Sequence, residues 1–101
     1  FFGYNNPQAV ILVSNDQRNP NSIQDASCAV ENILLAATSF GLGATWINAL
    51  RTICDEPDIR AKLDEYGIPQ THTVWSTIVL GWPAREPKPI VKNPNVVHFV
   101  D

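Results

Sequence analysis

Residues 22–50 read SIQDASCAVENILLAATSFGLGATWINAL, and this stretch decides the fold because it predicts a long helix followed by a strand. Apolar residues recur in its first part at spacings of three and four, the period of an amphipathic α-helix: Ile23, Ala26, Val30, Ile33, Ala37 and Phe40. Ser22, followed three residues later by Asp25, resembles a capping box and predicts that the helix begins there. Gly41 and Gly43 end the helix, because glycine tolerates the left-handed conformation that closes one.

Further strands and a second helix surround this stretch. Strands are predicted at 8–14, 44–47 and 73–80, where apolar and β-branched residues run between turn-forming residues. The first and third runs are almost continuously apolar, so we expect the first strand to be buried on both faces and the third to be central. A shorter helix is expected from Asp55 to Gly67, since acidic residues suit a helix start and glycine stops a helix. This alternation favours helices packed on a sheet.

From residue 82 the sequence changes character, because four prolines exclude a helix or an interior strand: Pro83, Pro87, Pro89 and Pro94. We predict a single domain over residues 1–101, in which 82–101 is an extended Pro-rich arm. Its apolar end, 96–99, is expected to add a short strand to a sheet edge of its own domain or of a partner subunit. Leu34 and Leu35 widen the apolar face of the long helix, which predicts that a missing segment or a second copy covers it.

Composition and charge exclude several classes of protein. With 45% hydrophobic and 17% charged residues, the chain is predicted to be a soluble globular domain. A net charge of −3 offers no basic surface for nucleic acid, and glycines interrupt the uncharged stretch 32–50, so no membrane span is expected. Two cysteines are too few for a disulfide scaffold and favour a reducing, cytoplasmic location. The chain lacks methionine, begins with Phe1 and shows no signal peptide, so we expect it to be processed or partial.

The residues alone provide few groups for catalysis. His72 and His98 lie far apart in sequence, no metal-binding spacing occurs, and we identify no catalytic residue. Cys28 is expected to be packed within the long helix and therefore inert, whereas Cys54 precedes a helix start but has no base beside it. The sequence Gly41-Leu42-Gly43 joins a helix to a strand, which is opposite to the order in a dinucleotide-binding loop.

Two features remain as a candidate binding site. A sharp turn after the second strand can point backbone N–H groups into a cleft, and it consists of Asn48, Ala49 and Leu50. The arm supplies cations for a phosphate group through Arg85, Lys88 and Lys92. The alternative is an ordinary loop followed by a solubilising tail.

Five segments together resemble the C-terminal half of nitroreductase-family flavoproteins: QAVILVS at 8–14, DASCAVENILLAATSFGLGATWINAL at 25–50, GIP at 67–69, TVWSTIVLGWPAREPKP at 73–89 and VVHF at 96–99. The resemblance implies an α+β fold, with a nitroreductase-like sheet and packed helices, here three main strands, two helices and the C-terminal arm. It implies an intertwined homodimer in which the long helix lies in the dimer core. One FMN would lie at each subunit interface, with contributions from both chains.

The chemistry that the resemblance implies is that of an FMN-dependent NAD(P)H oxidoreductase. NADH or NADPH would pass a hydride to the flavin, which would reduce a nitroaromatic, a quinone or a similar small-molecule acceptor. The turn at Asn48, Ala49 and Leu50 corresponds to the loop beside the flavin N5 and O4 edge. The family often has glycine at the position where this chain has Asn48. Lys92, then Lys88, matches the residue that binds the FMN phosphate, and Arg85 is a weaker match.

The resemblance leaves other functions open. The family's N-terminal segment, which contains Arg and Ser residues that grip FMN, is absent from these residues. The chain is then alternatively a non-catalytic flavin-holding or dimerisation module, or an inactive fragment of such an enzyme. A third alternative is an unrelated three-layer α/β binding domain, which requires the apolar end of the arm to stay on its own sheet.

Overall fold

The structure, a computed structural model, describes residues 7–101. Its elements follow one another along the chain as β1 (Ala9–Asp16), α1 (Ser22–Ser39), β2 (Gly43–Ile47), α2 (Leu50–Ile53), α3 (Pro57–Glu65), β3 (His72–Gly81) and a 3₁₀ turn (Pro94–Val96). The three predicted strands and the two longer helices are all present, with bounds that differ by one or two residues. The α+β fold class is confirmed, and α2 is a further helix that the sequence analysis missed.

The three strands form one antiparallel sheet in the order β1-β3-β2. Strand β3 pairs with β1 between His72 and Leu80, and with β2 between Thr77 and Gly81. The predicted central position of this strand is confirmed. It follows from the apolar residues on both faces of β3, which a middle strand buries better than an edge strand does.

A β-bulge in β3 sets the direction of the side chains on this strand. Val13 lies opposite Ser76, but the next residue of β1, Ser14, lies opposite Val74, so Trp75 is an extra residue in β3. Because residues that lie opposite each other point to the same face of a sheet, Ser14 and Val74 share one face. Val13 and Ser76 share the other.

Helices lie on both faces of the sheet. Helix α1 covers the face of Ser76, where Asn15 Nδ2 donates a hydrogen bond of 3.3 Å to the Ser22 carbonyl oxygen. Its buried residues are Ser22, Ala26, Val30 and Ala37. Helices α2 and α3 cover the face of Val74, and their core consists of Leu50, Cys54, Leu63 and Val74, flanked by Leu12, Ile59 and Ile68.

One prediction about the ends of the sheet is wrong, and of the two alternatives predicted for the arm only the one that involves a partner subunit remains. The first strand is not buried on both faces: Ala9 is exposed and the rest of β1 is half-buried, because β1 is an edge strand that, within residues 7–101, pairs only with β3. The end of the arm adds no strand to the chain's own sheet within the described residues, and Val97 and Phe99 are exposed. Addition of this segment to a partner's sheet stays a prediction.

For α1, the predicted start at Ser22 is confirmed, but the predicted capping role of Ser22 and the predicted burial of Cys28 are wrong. The residue before the helix is Asn21, and Ser22 makes no capping hydrogen bond because it is already the first helical residue and is buried. Cys28 is exposed rather than packed, since it lies two positions from buried Val30 and thus on the opposite side of the helix. Cys54 is the buried cysteine.

Candidate functional site

The predicted turn follows β2 and leads directly into α2. Asn48 and Ala49 are exposed, whereas Leu50 is buried in the core with Val74. The Arg51 N–H donates to the Asn48 carbonyl oxygen at 3.3 Å, which closes the turn. Leu50 therefore anchors the turn on the sheet, and its side chain belongs to the core rather than to an open binding surface.

The backbone N–H groups of Asn48 and Ala49 are candidate hydrogen-bond donors to a ligand. No hydrogen-bond acceptor for either group lies within residues 7–101. The Ala49 backbone has helical angles, with φ −60° and ψ −38°, and its carbonyl oxygen accepts a 3.0 Å hydrogen bond from the Thr52 hydroxyl. Backbone N–H groups need acceptors, so this pair suits a ligand edge that carries carbonyl oxygens or ring nitrogens.

Helix α2 is the part of the site that sequence reasoning missed. Its signal in the sequence is the spacing of Leu50, Ile53 and Cys54, which recur after three and four residues. The helix has only four residues, and a segment that short is stabilised by its packing on β3 rather than by its own hydrogen bonds.

The cations of the arm are exposed. Lys88 and Lys92 form no ion pair within the described residues, so both are able to bind an anion. Arg85 lines a cavity of about 420 Å³, which it shares with Thr38, Leu42, Pro83 and Pro87. The structure therefore places the weakest of the three phosphate candidates beside a cavity.

The turn and the arm leave the sheet at opposite ends of β2. Gly43 lies opposite Gly81, where the arm begins, and Ile47 lies opposite Thr77. Four residue steps of a strand separate these ends, a distance of about 14 Å. Lys88, seven residues after Gly81, can extend about 23 Å from it, so the arm is long enough to reach a ligand on the turn. Within residues 7–101, no hydrogen bond joins the arm to the turn.

A second cavity, of about 500 Å³, lies at the arm end of the sheet. Its lining includes Gln8, Thr45, Val79 and Trp82, and a Cβ atom at Gly81 would collide with the Gln8 side chain. Neither this cavity nor the one beside Arg85 is lined by the turn residues. The two halves of the predicted site, the turn and the lysines, stay separate in this chain and remain predictions.

Within residues 7–101, no group of three or more His, Cys, Asp or Glu side chains is arranged to hold a metal ion. None of the helices in the described part of the chain combines the length and the apolar composition that a bilayer crossing requires.

Comparison with known proteins identifies the fold. A family model described as the nitroreductase family matches residues 2–82. A nitroreductase from Bacteroides fragilis, solved with bound FMN, has a TM-score of 0.88 and 34% sequence identity, over 94% of this chain and 52% of that one. An FMN-dependent nitroreductase from Clostridium difficile has a TM-score of 0.75 and 29% identity, over 93% of this chain and 58% of that one.

A curated relative agrees with these structures. A protein of Archaeoglobus fulgidus, provisionally named NADH dehydrogenase/NAD(P)H nitroreductase, is 39% identical over 64 residues, which are 63% of this chain and 35% of that protein. The chain thus spans about half the length of the two solved structures and about a third of this curated relative. Since the family model matches most of the chain and the fold agrees, the family prediction is confirmed: this chain belongs to the nitroreductase family.

Proposed function

We propose that the chain forms part of an FMN-dependent oxidoreductase that takes a hydride from NADH or NADPH and reduces a nitroaromatic, quinone or similar acceptor. The observation that carries the proposal is the turn after β2, where the backbone N–H groups of the exposed residues Asn48 and Ala49 have no acceptor within the described residues. Family membership supports it, because a relative from Bacteroides fragilis was solved with FMN bound and a curated relative is named for NAD(P)H.

The groups present fit the two ends of FMN. The N–H groups of Asn48 and Ala49 would donate to the electron-rich edge of the flavin ring, and Leu50 would hold them in place from the core. Lys92 and Lys88 would neutralise the phosphate. When bound, FMN supplies the hydride chemistry itself, so the task of these residues is to bind the ring and fix its orientation. No side chain of the chain is assigned as a general acid or base.

A second copy of the chain is the partner that we propose. Leu35 on α1 is 60% exposed, and Phe40, the residue that follows this helix, is 76% exposed, so the helix of 18 residues has uncovered apolar side chains on it and at its end. The arm exposes further apolar residues: Ile90, Val91, Val96, Val97, Phe99 and Val100. Large exposed apolar patches on soluble proteins mark interaction sites, and a homodimer would cover these side chains.

The experiment that tests the proposal is titration of FMN into the purified polypeptide that carries this chain, followed by anaerobic addition of NADH or NADPH. We expect quenching of flavin fluorescence on binding and bleaching of the bound flavin on addition of one of the two donors. Binding without bleaching would favour the flavin-holding module. No binding of FMN would refute the proposal.

A further inference from the structure

One buried hydroxyl group near the turn lacks a hydrogen-bond partner. Thr77 is 0% exposed, and within the described residues its Oγ1 is the buried side-chain polar atom that has no partner. A buried hydroxyl group without a partner destabilises a fold, since it has lost its bonds to water and gained none in return. Valine has nearly the same shape and would avoid this cost, so the hydroxyl group at Thr77 requires an explanation.

The other buried hydroxyl groups of β3 have partners. Ser76 Oγ accepts a 2.9 Å hydrogen bond from Trp46 Nε1, and the Thr73 hydroxyl donates to Gln17 Oε1 at 3.4 Å. Both residues point to the face that α1 covers. Thr77 is the neighbour of Ser76 in a strand, where side chains alternate between the two faces. Its hydroxyl group therefore lies on the opposite face, the one that α2 and α3 cover.

Thr77 lies beside the start of the turn. It is opposite Leu12 on β1 and opposite Ile47 on β2, and Ile47 is the residue before Asn48. Leu50, at the other end of the turn, packs in the core on the same face of the sheet. Thr77 thus lies on the sheet face that the turn packs against, next to the residue that precedes the turn.

We propose that Thr77 is a positioning residue for the turn at Asn48, Ala49 and Leu50, and that its hydroxyl group forms a hydrogen bond with the turn backbone when FMN is bound. The inference rests on the proposed function. Without a partner the hydroxyl group destabilises the fold, and with the turn backbone as its partner it would hold the turn in the conformation that binds the flavin edge. Thr77 itself is too deeply buried to touch the ligand.

The test compares two substitutions at one position in the polypeptide that carries this chain. Thr77→Val keeps the shape and removes the hydroxyl group, while Thr77→Ser keeps the hydroxyl group and removes a methyl group. Thr73→Val is the matched control, because it makes the same change on the same strand but on the other face. For each variant we would measure the melting temperature without FMN, the FMN dissociation constant and the midpoint potential of the bound flavin.

We expect Thr77→Val to raise the melting temperature without FMN and to shift the midpoint potential of the bound flavin. It should also weaken FMN binding about tenfold, which corresponds to the loss of roughly one hydrogen bond. Thr77→Ser should lower the melting temperature and keep FMN affinity near that of the unsubstituted protein. Thr73→Val should leave both FMN properties unchanged. A purely structural role cannot move stability and affinity in opposite directions.

Two outcomes separate the inference from the proposed function. If the unsubstituted protein binds FMN and Thr77→Val binds it with equal affinity and the same potential, the role of Thr77 is refuted while the proposed function stands. If the unsubstituted protein does not bind FMN, both are refuted.

Discussion

Trp75 Nε1 donates a hydrogen bond of 2.8 Å to Ser22 Oγ, which joins the bulge of β3 to the first turn of α1. The extra residue in β3 makes this contact possible, because it lets Trp75 point toward α1 beside Ser76 instead of alternating to the other face. Two indole N–H groups, those of Trp75 and Trp46, find hydroxyl acceptors on this face. The bulge therefore fixes how α1 lies on the sheet.

Replacement of Ser22 tests this bond. Ser22→Ala leaves the Trp75 N–H without its acceptor in a buried region, so we expect the free energy of unfolding to fall by about 1–3 kcal/mol. Urea denaturation of the purified protein measures the change. Ser39→Ala is the control, since Ser39 is an exposed serine of the same helix that bonds only to the Ala36 carbonyl oxygen. Equal, small effects of the two substitutions would contradict the role of Ser22.

A pH-dependent contribution to stability comes from the end of β1. The Arg18 side chain, then the Arg18 backbone N–H, donates hydrogen bonds to the Asp16 carboxylate and holds the pKa of Asp16 well below its usual range. Because the pKa of Asp16 is lower in the folded chain than in the unfolded chain, the stabilisation is complete above about pH 4 and is lost as the pH falls further.

Arg18→Gln tests this prediction, since it removes the side-chain hydrogen bonds and leaves the backbone one. Unfolding should be measured in urea from neutral pH down to about pH 2.5, below the ordinary pKa of aspartate. We expect the variant to be less stable at neutral pH and its curve to approach that of the unsubstituted protein in acid. Arg51→Gln, at an exposed arginine outside the three ion pairs of residues 7–101, should have no such effect. If the stability of Arg18→Gln and that of the unsubstituted protein changed in parallel with pH, the pair of Arg18 and Asp16 would make no pH-dependent contribution to stability.

The outward face of α1 gives a prediction about assembly. Leu35 lies nearly opposite the buried side of the helix, so Leu35→Glu should place a charge in a homodimer interface while leaving the core of the single chain intact. We expect the dimer dissociation constant to rise about tenfold or more, because burying a carboxylate without a partner costs several kcal/mol. Sedimentation velocity measures it. Tyr66→Glu, at a residue that is 57% exposed and lies after α3, is the control. An unchanged dimer would exclude α1 from the interface.

The longer elements could be predicted from the sequence because each has its own periodic signal. The apolar residues of α1 recur with the helical period, and the apolar run of β3 is long enough to indicate a central strand. The bulge at Trp75 and the partner of Ser22 have no such signal, since both depend on residues far away along the chain. Serine is common at helix starts, so the sequence predicts a cap at Ser22. Its buried position could not be predicted, because it depends on Trp75, which is distant in sequence.

The candidate site was less accessible to sequence reasoning than the fold. The sequence predicts a candidate turn at Asn48 and Ala49, the resemblance assigns it to the flavin edge, and the structure leaves both residues exposed. The sequence assigns Leu50 to the same turn, but its side chain packs in the core with Val74, a residue far away along the chain. The orphan hydroxyl group of Thr77 was also hidden, because a threonine in a strand is ordinary until its neighbours are known.

The arm lysines give a prediction that distinguishes binding of the FMN phosphate from binding of the flavin ring. Lys88→Gln and Lys92→Gln each remove a charge that we expect to contact the phosphate, so each should weaken FMN binding by about 1.5–3 kcal/mol, roughly tenfold or more. Riboflavin has the same ring and lacks the phosphate, so its affinity should not change. Fluorescence titration with both ligands measures the difference. Lys62→Gln is the matched control, because Lys62 pairs with Glu65 on α3 and lies outside the arm. Equal losses for FMN and riboflavin would mean that the lysines act on the fold or the ring, and the phosphate assignment would then be wrong.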